Sequence, residues 1–420
     1  MTRRSMLGVT AALFSSAFLP RMASGATDPD ARLLVVVLRG GMDGINMMVP
    51  KLDPRYGSVR GNLAIPTDAT LSLGSDFGLH PGLARVHDMW ARGDVALVPA
   101  AGIPLQNRSH FDCQDNLENG LPQNTANATG WLNRMLGALP AGDPVRQLGA
   151  IEIGDAPLIL RGREPVLGWS PTWFQKLTEA QTARLRHIYG AVDPELLSSL
   201  ERGLRADQIA LAAGADNPDV SVLRRGFIGA ARLMRAESGP RISVLSVGGW
   251  DTHVQQGGLT GQFNDRLRQL DEGLADVERE MGAAWANTVV ICVTEFGRTV
   301  LANGDSGTDH GIATVAMLVG GAVRQGIFGD WPGLATQHLL DGDLRPTVDL
   351  RAVFKGVMQE HLGIPRDVLE STVFPGSLDA RPLDGLIKHP VPAAARGRMA
   401  FSRQPDRADH PIAAYRAARH

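Results

Sequence analysis

Cysteine, lysine and tyrosine are scarce in this chain of 420 residues. Two cysteines, Cys113 and Cys292, exclude a disulfide framework. Cys292 sits inside an apolar run that is expected to bury it as a free thiol. Four lysines among 42 basic residues leave arginine as nearly the only basic side chain, a coding bias that says little about function. Long hydrophobic runs are missing too. The longest apolar stretch, residues 7–19, has roughly 13 residues against the ~20 that an ordinary transmembrane helix needs. There is no G-x-S-x-G elbow, which argues against a standard α/β-hydrolase triad, and neither a Walker A loop nor a dinucleotide fingerprint is present. No internal repeat and no long Pro/Gly-rich linker divides the chain. Glycine, in contrast, is plentiful at 48 residues, which implies many tight turns and close backbone approaches.

The formal net charge of −2 hides an asymmetry. Arg3, Arg4 and Arg21 are the only charges before residue 27, and Lys388 with six arginines makes residues 387–420 strongly basic, so the body at 27–386 is at about −10. An acidic body argues against a nucleic-acid groove. The N-terminus has a charged start, an apolar stretch and the small residues Ser24-Gly25-Ala26, the three parts of a cleavable export signal. Arg3-Arg4-Ser5-Met6-Leu7 is similar to a twin-arginine signal, which predicts passage through the twin-arginine translocase to the periplasm or another extracytoplasmic space of a bacterium. Residues 387–420, rich in Arg, Ala and Pro, read as a flexible basic tail.

Between these ends, Arg32–Leu38 is a continuous β-branched and leucine run, the pattern of a strand buried on both faces. Similar runs recur at Val95–Pro99, Ala150–Ile153, Ile242–Val247, Thr288–Val293 and Val315–Gly320. Helical patterns lie between several of them, at Gly82–Arg92, Trp131–Leu139, Thr178–Ile188, Pro194–Ala213, Val222–Glu237 and Gly261–Met281. This alternation predicts one α/β domain over 27–386 with a doubly wound sheet, and a helix-rich insertion at about 170–238.

Ligands of open α/β sheets bind beyond the carboxyl ends of the strands. Here those positions are rich in chemistry. The first strand leads to Gly40-Gly41-Met42-Asp43-Gly44. Ile242–Val247 leads to Gly248-Gly249-Trp250-Asp251-Thr252-His253, and Thr288–Val293 to Thr294-Glu295-Phe296-Gly297-Arg298-Thr299. A glycine loop then presents Gly307-Thr308-Asp309-His310-Gly311. Clustered carboxylates repel one another unless a cation neutralises them, and carboxylate with imidazole is a ligand set for divalent metals. Asp251 and His253, at i and i+2, point the same way from extended backbone. Glu295 is either a ligand or the partner of Arg298, and Asp309, His310 or both face the site.

Ser109 lies beside His110 after another strand, in Gln106-Asn107-Arg108-Ser109-His110-Phe111-Asp112. Near a cation it is a candidate nucleophile; three residues before Asp112 it is equally a helix N-cap. The other histidines lie in helical, loop or tail contexts without an acidic cluster. Trp250 and Trp331 flank the site segments and are expected in the core. The sequons at Asn107 and Asn127 carry no message in a bacterial chain.

Taken together, Leu38–Gly44, Asn107–Asp112, Gly248–His253, Thr294–Thr299 and Gly307–Gly311 resemble the family called domain of unknown function 1501 (DUF1501), placed with the alkaline phosphatase and sulfatase-like superfamily. The resemblance implies an alkaline phosphatase-like three-layer sandwich: a central, mostly parallel sheet with helices on both faces. It implies a site for one or two divalent metal ions, zinc, manganese, calcium or iron, with Asp43, Asp251, His253, Glu295, Asp309 and His310 as ligands and Ser109 as nucleophile. Arg298, Arg108 and His110 would bind the substrate. Asp43 lies several residues past its strand, and Glu-Phe stands where the superfamily has Asp-His. The expected function is an exported metal-dependent hydrolase of phosphate or sulfate esters, acting on a small anionic ester. The alternative is a catalytically inactive metal- or ligand-binding or assembly protein on the same fold.

Overall fold

A computed structural model describes residues 30–126, 128–154, 158–171 and 177–389. The expected export signal, the tail from residue 390 on and the sequon asparagine Asn127 lie outside the described residues. In chain order the strands are β1 (Arg32–Leu38), β2 (Met48–Pro50), β3 (Leu71–Ser72), β4 (Phe77–Leu79), β5 (Val95–Gly102), β6 (Ala150–Ile153), β7 (Leu167–Trp169), β8 (Ile242–Val247), β9 (Thr288–Val293), β10 (Thr314–Val319), β11 (Gly326–Ile327) and β12 (Val348–Asp349). The helices of eight residues or more are α1 (Ala84–Ala91), α2 (His110–Asn119), α3 (Trp131–Ala138), α4 (Glu179–Val192), α5 (Pro194–Ala213), α6 (Val222–Arg235), α7 (Gln262–Met281) and α8 (Leu350–Glu360).

The main sheet has the order β11-β5-β10-β9-β1-β8-β6-β7, with β12 also pairing β5. All of its pairings are parallel except those of β10, which runs antiparallel to both β5 and β9. Strand β1 is central and shows why its sequence is an unbroken apolar run. Leu33, Val35 and Val37 point to one face, packing with Trp131 and Phe354. Leu34, Val36 and Leu38 point to the other, with Phe227, Phe263 and Trp250. Because side chains alternate along a strand, covering both faces demands an apolar residue at every position. Helices α3 and α8 cover the first face; α1, α6 and α7 cover the second. The architecture is a mixed, mostly parallel sheet with helices around it.

A smaller antiparallel sheet, β2-β4-β3, stands beside the main one. In the stretch expected as an insertion, α4 buries no residue and α5 buries only Ala206, Ile209 and Ala210, whereas α6 buries most of its length. No described helix is long and apolar enough to cross a membrane.

The strand directions determine where the site forms. Strands β5, β9, β1 and β8 all end at the same edge of the sheet, and β10, running the other way, begins there. The loop before β10 therefore meets the loops after the other four. This is how Asp309 and His310 join residues far away in sequence.

Candidate metal centre

The loop after β1 depends on two glycines. Gly40 has φ +121 and its backbone passes so close to Asp251 that a Cβ would lie 2.5 Å from the Asp251 nitrogen. Gly41, at φ +75, lies against the ring of Phe296 in the same way. Both conformations belong to glycine, and the close approach draws the Gly248–His253 loop over the end of β1.

On the far side, α2 begins at the site. Ser109 is its N-cap, accepting from the Asp112 amide at 3.4 Å, and Gly120 ends the helix in the left-handed conformation. The cap places His110 at the first helical position, directed at Glu295 and Asp251.

Three imidazoles and one carboxylate meet here. Asp251 Oδ1 lies 3.0 Å from His253 Nε2 and 3.1 Å from His310 Nε2, and Asp251 Oδ2 lies 3.4 Å from His110 Nε2. The Nε2 atoms of His253 and His310 are 2.9 Å apart. The donor atoms of His110, Asp251 and His310 all fall within 4.8 Å of one another, a group that matches the spacing of a metal site.

The opposite nitrogens of the rings are all occupied. His110 Nδ1 bonds Glu295 Oε1 at 2.9 Å, His253 Nδ1 bonds Asp309 Oδ1 at 2.9 Å, and His310 Nδ1 bonds the Arg108 carbonyl at 2.8 Å. Ionised carboxylates and carbonyls only accept, so each Nδ1 carries the hydrogen, and a ring in its neutral form turns an Nε2 lone pair toward Asp251. Lone pairs at 2.9 Å repel unless a cation lies between or beside them. His110 Nε2 is buried and has no hydrogen-bond partner, an orphaned acceptor that fits a metal. Outer carboxylates and carbonyls that orient ligating imidazoles are the usual companions of such sites.

The electrostatics follow from these contacts. The hydrogen bond to Glu295 raises the His110 pKa against the effect of burial. Burial alone would push the Asp251 carboxyl up, but the hydrogen bond and positive charge of Arg298 bring it down to about 2. Glu295 is fully buried; despite that, bonds from His110, Gln114 and Thr294 hold it below the usual carboxylate range. Burial lowers His310.

The residues picked out from sequence take different places. Asp251, His253 and His310 lie together. His110, expected to touch substrate, joins them. Glu295 and Asp309 stand one bond further out, behind His110 and His253. Asp43 is elsewhere: it caps the short helix Gly44–Met47 and its buried carboxylate is paired with Arg60 and bonded by Gln256 Nε2 at 2.6 Å. Arg298 is fully buried, its guanidinium committed to Asp251, Gly40 and Thr308. It braces Asp251 and faces no open space. Arg108 is bonded to Asp343. Ser109 is the cap just described. Trp250 is fully buried and Trp331 half-buried.

Gln114 was missed in the sequence, although its position four residues after His110 puts it on the same helix face; it bonds Glu295 at 2.9 Å. Arg60 and Gln256 had no local signal. A cleft of about 520 Å³ opens over the site, lined by His253, His310, Asp309, Arg108, Asp341 and Asp343 among others.

The family described as "Protein of unknown function (DUF1501)" matches residues 97–372. This chain belongs to that family. The match takes in every member of the cluster, while Asp43 and its loop precede it. No curated protein matches the chain. Similar solved structures of this DUF1501 protein include the C-terminal periplasmic domain of EcEptC from Escherichia coli in complex with Zn, at 10% identity and TM-score 0.38, covering 85% of this chain and 88% of that one. Another is phosphonoacetate hydrolase from Sinorhizobium meliloti 1021 in complex with phosphonoformate, at 13% identity and TM-score 0.32, covering 64% and 57%. A third is BT1596, a 2-O GAG sulfatase, at 11% identity and TM-score 0.32, covering 70% and 65%.

Proposed function

We propose that this DUF1501 protein is an exported, metal-dependent hydrolase of phosphate or sulfate esters, with His110, Asp251, His253 and His310 holding a divalent cation. The observation that carries the reading is the convergence of three Nε2 atoms on one carboxylate while every Nδ1 donates outward. When bound, such a cation polarises an ester oxygen and lowers the pKa of a hydroxyl or water beside it.

The chain's own residues do the rest. Glu295, Asp309 and the Arg108 carbonyl hold the rings and keep their lone pairs inward. Arg298 keeps Asp251 ionised and aimed. Phe296, buried and 4.9 Å and 4.8 Å from the centroids of His110 and His310, walls the site from behind. Ser109 stands between Arg108 and His110, both engaged in the site; its 3.4 Å cap bond leaves the hydroxyl weakly tied, which suits a nucleophile. The cleft admits a small ester from solvent.

A second reading, a metal-binding protein without turnover, draws on Asp43. A carboxylate locked to Arg60 leaves fewer ligands for a second metal. Elemental analysis of the exported protein comes first, with Asp251→Ala and His253→Ala as controls. Near-stoichiometric metal that is lost in both controls is the expected result; no metal in the wild type refutes the site. Turnover of 4-nitrophenyl phosphate or sulfate, abolished by Ser109→Ala, then distinguishes the hydrolase from the binding protein.

A further inference from the structure

Helix α2 carries His110 at its start and lines a second cavity with the face that follows. Phe111, Gln114, Asp115 and Glu118, spaced i, i+3, i+4 and i+7, form one wall of a space of about 470 Å³. That volume is within the range of small-molecule sites. The rest of the lining includes Glu152 of β6 and the apolar Leu158, Leu160 and Val166. A hydrogen-bonded path runs from this cavity's wall to the metal centre: Arg39 Nη1 donates to Gln114 Oε1, and Gln114 Nε2 donates to Glu295, which holds His110.

The charges in this cavity do not cancel, with Arg39 and Arg161 against Asp115, Glu118 and Glu152. Arg39 is paired with Glu118 and also bonds Gln114 and Ser246. Arg161 is turned to the Ala128 carbonyl. Glu152 is half-buried, and among the described residues no donor or cation reaches its carboxylate; burial is the single influence on it and pushes its pKa up. An unpaired carboxylate in partly apolar surroundings is costly unless a cation or hydrogen-bond donor meets it. Phe111, next to His110 in sequence, lines this cavity and is 85% exposed. Aromatic faces attract ammonium groups.

We infer that this cavity is a subsite for the alcohol portion of the substrate, and that this portion carries a protonated amine held by Glu152 and the Phe111 ring. The inference rests on the hydrolase reading for the word substrate, but the amine site stands on its own residues. A neutral alcohol leaves Glu152 without a cation, and an anionic one meets it as a like charge.

The test uses glucosamine and glucose, a pair differing by an ammonium for a hydroxyl, titrated calorimetrically into the metal-loaded protein at a pH where the amine is protonated. Wild type is expected to bind glucosamine about tenfold more tightly, the scale of one charge-assisted hydrogen bond. Glu152→Gln should erase that preference without changing metal content, and Phe111→Ala, a change at an exposed position, should weaken it. Equal binding of the two sugars by wild type, or an undiminished preference in Glu152→Gln, overturns the inference. Glucosamine 6-phosphate and glucose 6-phosphate then separate the two proposals. A lower KM for the amine ester at similar kcat, lost in Glu152→Gln, supports both. Cleavage of neither ester while glucosamine is still preferred refutes the hydrolase reading and retains the amine site.

Discussion

Replacing Glu295 by glutamine removes one charge from behind His110 and little else. Glu295 Oε1 accepts from His110 Nδ1, Gln114 Nε2 and the Gly40 amide at 2.8–2.9 Å, and an amide oxygen accepts from the same three donors. The new amide NH2 faces Thr294 Oγ1, a hydroxyl that accepts when it rotates. Shape and hydrogen bonds therefore survive, but the carboxylate that keeps His110 basic does not. Loss of such an outer partner lowers metal affinity by roughly 10–100-fold, equivalent to about 1.4–2.7 kcal/mol. Competition for zinc against a chromophoric chelator at neutral pH measures this directly. An affinity within about twofold of wild type, in a protein that is still folded, would refute the role assigned to Glu295.

The metal-free protein offers an independent readout of the same change. His110 has a raised pKa in the folded state because of Glu295. Its contribution to stability is thus complete below the unfolded value of ~6.5 and is lost as pH rises through the raised folded value. Glu295→Gln should lower the His110 titration, seen by NMR, and flatten that part of the stability profile.

Arg298→Met should return Asp251 from about 2 toward its ordinary value of 3.8. The Asp251 contribution, present above the ordinary value and lost as pH falls toward about 2, should then shrink in acid denaturation curves. Ser109→Ala should cost about 0.5–1 kcal/mol in chemical denaturation, the lower part of the range for an N-cap because its bond is long; a loss of several kcal/mol would mean more than a cap is broken. Trp131→Ala should cost about 3–5 kcal/mol, since the ring is fully buried, stacks on Phe354 at 4.7 Å, and donates to the Leu117 carbonyl at 3.1 Å. A midpoint unchanged in denaturant would show that the α3 face of the core is not packed as described.

Local chemistry alone determined the long buried strands and six of the helices, but not α2, α8 or the short strands β2, β3, β4, β7, β11 and β12. Arg32–Leu38, Ile242–Val247 and Thr288–Val293 are legible as fully buried strands because two covered faces require apolar residues at consecutive positions. The 20-residue helices Pro194–Ala213 and Gln262–Met281 have the matching 3.6-residue pattern and boundaries. The strand-end clusters were legible as well, since carboxylates and histidines placed after buried strands lie at the sheet edge. Only the tertiary structure decided how those clusters are used. The reversed direction of β10 brings His310 to Asp251 across 59 residues, and the crossover from β5 brings His110 to Glu295 across 185. Which imidazole nitrogen faces inward depends on acceptors supplied by other loops. Asp43 and Arg298 read alike in sequence, a carboxylate and a guanidinium near strand ends. One is closed off by Arg60 and the other is buried beneath Asp251, because pairing of buried charges is settled by whichever partners the packed chain brings within reach.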